Sequence, residues 1–457
     1  MLEHQRNTLL SKFLNLTKER TGLLNKVQFP TTPNLTSYVD PLSSYLLSKI
    51  GSVDEPKVVI AMSSGVDSSV CAGLFKLLGF KNIQGVYMQN WGGAASVDGE
   101  EGKCWEKDWR DVQGLGKFLG IPVEKVDFQK EYWCDVFQPM IESYERGNTP
   151  NPDLGCNKYI KFGKLVKYLD KKYENYYLVT GHYSRIMYSV FNKRQTPALF
   201  KAFDSTKDQS YYLSQIDGTK VLHKVLFPLG NLKKTEVREI ANIMKLPTAA
   251  KKDSQGICFV QNSQSKGNFT KFLANYTSEE SGDIVSLESG DTANKRVWGQ
   301  HKGLWSYTIG QRIRIPIPQV GPYKGQWFVS QKLKETNEIV IVKGKDHPSL
   351  FRDTVFIKDF QFINSGKTDS YDFSFSAFEK QVDDTSLQNL NIKYRSLHAE
   401  NIKVLSIDSF TSDSDKERGS IVKVKLDTAQ RAITPGQYCC LYDGLKVIGC
   451  GTITEGE

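Results

Sequence analysis

The string Ser63-Ser-Gly-Val-Asp-Ser-Ser69 narrows what this chain can become more than any other feature. It follows the apolar run Lys57-Val-Val-Ile-Ala-Met62 and precedes a helical run at 70–78. An apolar run without alternation reads as a strand buried on both faces, and strand, small-residue loop and helix in succession make one βα unit. Such a turn lets backbone N–H groups at a helix N-terminus face an anion, with Gly and Ser permitting close approach. Ser63, Ser64, Ser68 and Ser69 add hydroxyl donors. The chain has no GxxxxGK[S/T], so the loop is not a Walker A site built for terminal-phosphate transfer. An ordinary Ser/Asp-capped helix start is the competing reading.

The same rhythm continues. Apolar strand candidates recur at 83–88, 123–128 and 176–180, separated by helical stretches. That pattern predicts an α/β fold with a doubly wound, Rossmann-like parallel sheet. Gly114-Leu-Gly-Lys-Phe-Leu-Gly120 is rejected as a dinucleotide fingerprint because its spacing is wrong and it does not directly follow a strand. Beyond about residue 280 the runs at 339–342, 355–357, 371–378, 421–426 and 447–453 are short and strand-like. They predict a small β-rich domain followed by a C-terminal β-barrel. The expected parts are an N-terminal extension over 1–50, a catalytic domain over 51–275, a central β-rich domain over 276–345 and a barrel over 346–457.

Composition enters mainly by exclusion. A chain that is 39% hydrophobic and 24% charged is neither largely disordered nor collagen-like. No apolar run reaches the length of a membrane span, so no membrane role is expected. The net charge of +9 fits a polyanionic partner without identifying one. In the stretch up to Lys26, Arg6, Lys12, Lys18, Arg20 and Lys26 face only Glu3 and Glu19, around the amphipathic stretch 8–16. An organelle targeting segment is the expectation here, and a helical N-terminal arm the alternative.

The eight cysteines contain no CxxC pair and no zinc-type spacing, so no protein metal site is expected. Two of them stand in notable company. Cys156 lies in Asn148-Thr-Pro-Asn-Pro-Asp-Leu-Gly-Cys-Asn-Lys-Tyr-Ile-Lys-Phe162, where two prolines fix the entry to a helix. A thiol there gains from the helix dipole, although a packing role competes. Cys258 ends Lys251-Lys-Asp-Ser-Gln-Gly-Ile-Cys258, whose lysines favour a thiolate, and a small core residue between Ile257 and Phe259 is the alternative. Lys158, Lys161, Lys164 and Lys167 recur at i, i+3 as a basic stripe, either for a nucleic-acid backbone or as a solvated face. The tryptophans at 91, 105, 109 and 133 read as core, and His182 as a positioning residue.

The Ser63–Ser69 loop resembles the SGGxDS pyrophosphate loop of the PP-loop ATPases, with Ser64 where that pattern usually has its first Gly. The wider set of strings is similar to the tRNA-specific 2-thiouridylases over residues 57–457. It includes Val86-Tyr-Met-Gln-Asn-Trp91, Cys104-Trp-Glu-Lys-Asp-Trp-Arg-Asp111, Thr180-Gly-His-Tyr183, Lys207-Asp-Gln-Ser-Tyr-Tyr-Leu213, Gly303-Leu-Trp-Ser-Tyr-Thr-Ile-Gly-Gln-Arg312 and Arg431-Ala-Ile-Thr-Pro-Gly-Gln437. The extension and the Trp-rich variants look like the mitochondrial, fungal-type branch.

The resemblance implies an ATP-dependent tRNA sulfurtransferase that thiolates the wobble uridine at C2, with ATP and Mg²⁺ as cofactors. It implies an ATP site at Ala61, Met62, Ser63, Ser64, Gly65, Val66, Asp67, Ser68, Met88 and Gly181. Asn151, Pro152 and Asp153 would meet the target base. Lys207, Asp208, Gln209, Tyr394 and Arg395 match positions that meet tRNA. Cys156 matches the nucleophile, Cys258 the persulfide carrier and Asp153 an acid/base. The implied partners are tRNA and an upstream persulfide donor, a cysteine desulfurase relay. A monomer in the mitochondrial matrix is expected. Two rivals remain: a PP-loop ligase acting on a small acceptor, and an inert tRNA-binding protein.

Overall fold

Alternate residues of the first strand serve opposite faces of a central sheet. Val58 and Ile60 join one apolar cluster and Val59 the other, and all three are fully buried. That is why the run shows no polar alternation. The computed structural model describes residues 3–27, 37–92, 104–191, 194–253, 268–287, 295–364, 387, 389–396, 402–410 and 421–455.

Five strands form the catalytic sheet: β1 (Lys57–Ala61), β2 (Ile83–Gln89), β3 (Val123–Asp127), β4 (Tyr176–Val179) and β5 (Val225–Leu226). Their order is β3-β2-β1-β4-β5 and every neighbouring pair is parallel. The order reverses direction between β1 and β4, which opens a crevice at the carboxyl ends of those two strands.

Helices cover both faces. On one lie α1 (Glu3–Leu24), α2 (Val66–Leu78) and α3 (Cys104–Leu119), with α5 (Lys234–Ile243) beside α2. On the other lies α4, which spans 152–172 in three segments, Pro152–Gly155, Cys156–Lys164 and Leu165–Lys172. Its middle segment is wound as a π-helix, with the Leu165 N–H reaching the Ile160 carbonyl. The expected lysine stripe does not survive this winding. Lys158 bonds Gln215 and Gln361, Lys161 lies 3.5 Å from His182, Lys164 pairs with Asp135, and Lys167 is exposed. Of the tryptophans expected in the core, Trp91 and Trp109 are half-buried and pack against the two apolar clusters, but Trp133 lies at the surface. Trp133 is 42% exposed and stacks on a half-buried Trp91.

The second half is β-rich, as expected. Strands β6 (Gly282–Leu287), β7 (Lys295–His301), β8 (Trp327–Leu333) and β9 (Glu338–Lys343) form a sheet in the order β7-β6-β9-β8, around Ile284, Val329, Ile339 and Ile341. The last six strands are β10 (Phe351–Phe362), β11 (Leu390–Lys393), β12 (Ile402–Phe410), β13 (Ile421–Arg431), β14 (Tyr438–Asp443) and β15 (Lys446–Thr454). They run antiparallel in the order β15-β10-β13-β12-β11-β14, and β14 pairs back onto β15. The result is a closed barrel with no free edge, filled by alternate residues such as Val422, Val424 and Leu426. The strand expected at 371–378 lies outside the described residues.

Candidate active site

The segments leaving β1 and β4 meet at the crevice. Gly65 begins α2 with extended backbone (φ −85°, ψ 161°) and no side-chain cap, so its first-turn N–H groups are not spent on a capping side chain. The loop instead fastens onto itself. The Ser68 Oγ accepts from the Ser63 N–H at 3.1 Å and lies 2.8 Å from the Ser63 carbonyl, while the Ser69 hydroxyl donates to the Gly65 carbonyl at 2.8 Å. Met62 is buried and its N–H donates to the Val86 carbonyl at 2.8 Å, which ties the loop entry to β2. Met88 lies farther along β2, opposite Val126.

Ser64 is not among the described residues with positive φ, so a side chain is accommodated where the family pattern carries Gly. Its hydroxyl has a use. It donates to Asp108 on α3, and Lys251 lies 3.5 Å from the same carboxylate and 3.0 Å from Asp111. From the β4 side, Gly181 presses on the loop. A Cβ there would stand 2.9 Å from both the Asp67 Cβ and the Ser68 N, which leaves room only for glycine.

Asp67 opens a dense charge cluster. It accepts from Tyr183 at 2.9 Å and from Lys234 at 2.7 and 2.8 Å. Lys234 also lies 3.0 Å from Asp253, which accepts from Lys207 at 2.9 Å and from Arg238. Burial works against ionisation of Asp253, yet hydrogen bonds from Lys207 and Lys234 hold its carboxyl far below the usual range. Burial, reinforced by the Asp67 charge, pushes the Tyr183 phenol far above its own. The cluster pins residues 251–253 beside the loop. Cys258, five residues on, lies outside the described residues.

The start of α4 is built differently. The Asn151 side chain caps it, accepting from the Asp153 N–H at 3.2 Å, and Pro152 occupies the first turn. Cys156 is 3% exposed within the apolar cluster. Burial raises the Asp153 carboxyl above the usual carboxylate range, opposed by the Lys161 charge. Burial and then Lys161 push the His182 imidazole well below its ordinary value, so it is neutral, 2.7 Å from the Thr180 hydroxyl. The Asn157 amide N–H donates to the Asp153 and Tyr212 carbonyls, and its oxygen is buried without a partner among the described residues.

The β-rich domains hold the approach to this helix. The Lys332 ammonium reaches the Gly147 carbonyl at 2.9 Å, the Thr149 N–H donates to Pro435 at 3.0 Å, and Gln437 donates to the Thr149 carbonyl at 2.7 Å. Gly436 sits so close to Asn148 that a Cβ would approach its Cβ to 2.8 Å.

The five tRNA positions divide. Lys207 and Gln209 lie half-buried at the crevice, where the Gln209 Oε1 accepts from the Tyr183 N–H at 2.9 Å. Asp208 is buried in an ion pair with Lys393 of the barrel at 2.8 Å and also accepts from Ala202 and Ser210. Tyr394 is buried, with its hydroxyl donating to the Arg431 carbonyl. Arg395 donates to the carbonyls of Arg431 and Ala432. Asp208 therefore ties the crevice to the barrel and Tyr394 is bonded within the barrel, so neither presents a polar surface.

Sequence reading missed Lys234, Tyr183 and Asn157 as site residues. A lysine opening an amphipathic helix looks like any solvated helix start, and only the fold carries it to Asp67. Asn157 was legible in principle as the residue after Cys156.

Comparison with known proteins accords with this arrangement. Residues 56–262 match the family described as tRNA methyl transferase HUP domain, 270–343 the PRC-barrel domain of the same name, and 378–453 the aminomethyltransferase beta-barrel domain. Over 404 residues the chain is 48% identical to mitochondrial tRNA-specific 2-thiouridylase 1 of Saccharomyces cerevisiae, covering 87% of this chain and 91% of that one. It is 36% identical to tRNA-specific 2-thiouridylase MnmA of Alkaliphilus oremlandii, over 88% and 98% of the two chains. It is 37% identical to MnmA of Acholeplasma laidlawii, again over 88% and 98%. With a parallel PP-loop sheet, a small central domain and a closed barrel in one order, the chain belongs to the tRNA-specific 2-thiouridylase family.

Proposed function

We propose that this protein uses ATP to replace the C2 oxygen of the tRNA wobble uridine with sulfur. The observation that supports this most is the run of contacts joining the loop to the cysteine helix. Asp67 and Ser68 press on Gly181, His182 follows, and Lys161 reaches His182 from five residues beyond Cys156. Phosphate chemistry and thiol chemistry thus share one crevice.

A uracil C2 carbonyl is a poor electrophile and its oxygen a poor leaving group. ATP, as substrate, lies along Ala61–Ser68 against Met88 and Gly181. Attack of the uridine O2 on its α-phosphorus releases pyrophosphate and makes AMP the leaving group. Among the described residues no set of three or more His, Cys, Asp or Glu is placed to hold a metal. Mg²⁺ would come as an ion carried on the nucleotide, with Asp67 the carboxylate near enough to help hold it, and would neutralise phosphate charge. The loop's donors suit a phosphate chain better than the methyl donor that the matched family names suggest.

The terminal sulfur of a Cys258 persulfide then bonds to C2 and AMP departs. The Cys156 thiolate attacks the Cys258 sulfur of that adduct, which frees 2-thiouridine and leaves a Cys156–Cys258 disulfide for an external thiol to reduce. Asp153, whose carboxyl is pushed up by burial, serves as acid/base at the base, while Asn151 and Pro152 line its pocket. The base must leave the anticodon stack to reach this pocket. Lys207, Gln209 and Arg395 contact the tRNA, and Asp208 and Tyr394 shape the surface that does so. A cysteine desulfurase relay supplies the sulfur to a monomer. The mitochondrial relative supports a matrix location. The division at 50, 275 and 345 stands as our reading of the domains.

Thiolation of unmodified tRNA with ATP and a persulfide donor tests this. Cys156→Ala and Cys258→Ala should each lose 2-thiouridine by on the order of 10³-fold or more. Full activity in either variant removes its assigned role. AMP release that ignores tRNA favours the small-acceptor ligase, and tRNA binding without AMP favours the inert binder.

A further inference from the structure

We infer that helix α1, which precedes the family-matched segment beginning at residue 56, is a clamp on the nucleotide loop, with Arg20 as its positioning residue. The inference rests on ATP binding at the loop. Leu9 and Phe13 are buried in the same apolar cluster as Val66, Val70 and Leu74 of α2, so α1 is packed onto the helix that the loop begins. Polar contacts fix it at two points. Near its start, Arg6 donates twice to the Leu77 carbonyl in the last turn of α2, where a cation meets the negative end of the helix dipole.

Near its end, Arg20 forms a two-pronged pair with Glu236, both arms at 2.7 Å. The guanidinium is 8% exposed, lies 4.0 Å above the Phe203 ring and also donates to the Asn231 carbonyl. Glu236 in turn accepts from the Lys233 N–H at 2.7 Å, fixing the first turn of α5. That turn carries Lys234, whose ammonium holds Asp67 in the loop. Arg20 thus acts through Glu236 on Lys234, and α1 braces the loop-bearing helix at one end and the loop's cation at the other. A fork geometry is needed, because a lysine at 20 supplies charge but not two parallel bonds.

The test uses the full chain and reads ATP affinity by direct titration, KM for tRNA and Tm. Arg20→Ala and Glu236→Gln should each weaken ATP binding about tenfold, with KM for tRNA unchanged. Arg20→Lys should recover part of the loss. Phe13→Ala serves as the stability comparator, because it loosens α1 without touching Glu236. Lys12→Ala, which removes only an exposed pair with Glu239, should bind ATP like the wild type. If Arg20→Ala does not fold, Arg20→Lys and Glu236→Gln carry the test. ATP binding by these variants that matches wild type, or that falls only in step with Tm as Phe13→Ala does, overturns the clamp. A wild-type chain that fails to bind ATP overturns both this inference and the ATP site itself.

Discussion

Two helix starts face the crevice, and they are built on opposite principles. α2 begins at Gly65 without a capping side chain, amid a cluster of charges from Lys207, Lys234, Arg238, Asp67 and Asp253. α4 begins with an Asn cap and a Pro, amid groups that are uncharged or pushed toward neutrality: Asp153, His182 and Asn157. An open start beside a cluster of counter-charges suits a polyphosphate, whose own charge can take the place of those carboxylate partners. A closed, desolvated start suits an uncharged base and a thiol. The difference teaches that one sheet edge serves two chemistries by varying only how each helix is capped and how dry its first turn is.

Removing the acid at the drier end should have the largest effect. Asp153→Asn is expected to lower thiolation by about 10²–10⁴-fold while ATP affinity is kept, measured as 2-thiouridine per tRNA beside an ATP titration. An equal loss in both readouts breaks the division of labour. At the charged end, Lys234→Ala leaves Asp67 and Asp253 without their shared cation. It should cost on the order of 10²-fold in kcat/KM for ATP and little in tRNA binding. A selective loss of tRNA affinity would reverse the assignment of the two ends.

The smallest effect concerns the bracing that the start of α4 receives from the β-rich half. Lys332 is buried against the Gly147 carbonyl, and burial, helped by the Lys334 charge, pushes its amine down to about 7. Between that value and the ordinary lysine value the unfolded chain binds a proton that the folded chain does not. Stability therefore rises with pH through this window, and below it the burial penalty is felt in full. Thermal melts of wild type against Lys332→Met should diverge in favour of wild type by on the order of 3 kcal/mol between pH 7 and 10. A difference that stays flat with pH would mean Lys332 is not held as a depressed amine.

Much of this was readable from residue order. Val58, Val59 and Ile60 declare a strand buried on both faces, and Ser63–Ser69 declares the turn after it, because both signals are local. Asn151, Pro152 and Cys156 declare their helix start for the same reason. The lysine stripe misled because it assumed regular α-helical pitch, and a π-wound segment redistributes side chains around the axis. Trp133 misled because aromatic character signals burial only on average, and it lies at the surface.

The sequence by itself determined the first strands of the parallel sheet, the two helix starts and the family, since strand patterning, turn chemistry and ordered motifs depend on near neighbours along the chain. The tertiary structure decided which charges meet. Asp67 and Lys234 are 167 residues apart, Arg20 and Glu236 216, and Asp208 and Lys393 185. Pairing over such separations is set by strand order and helix packing, which bring distant residues together at the end of a sheet. No local pattern encodes it.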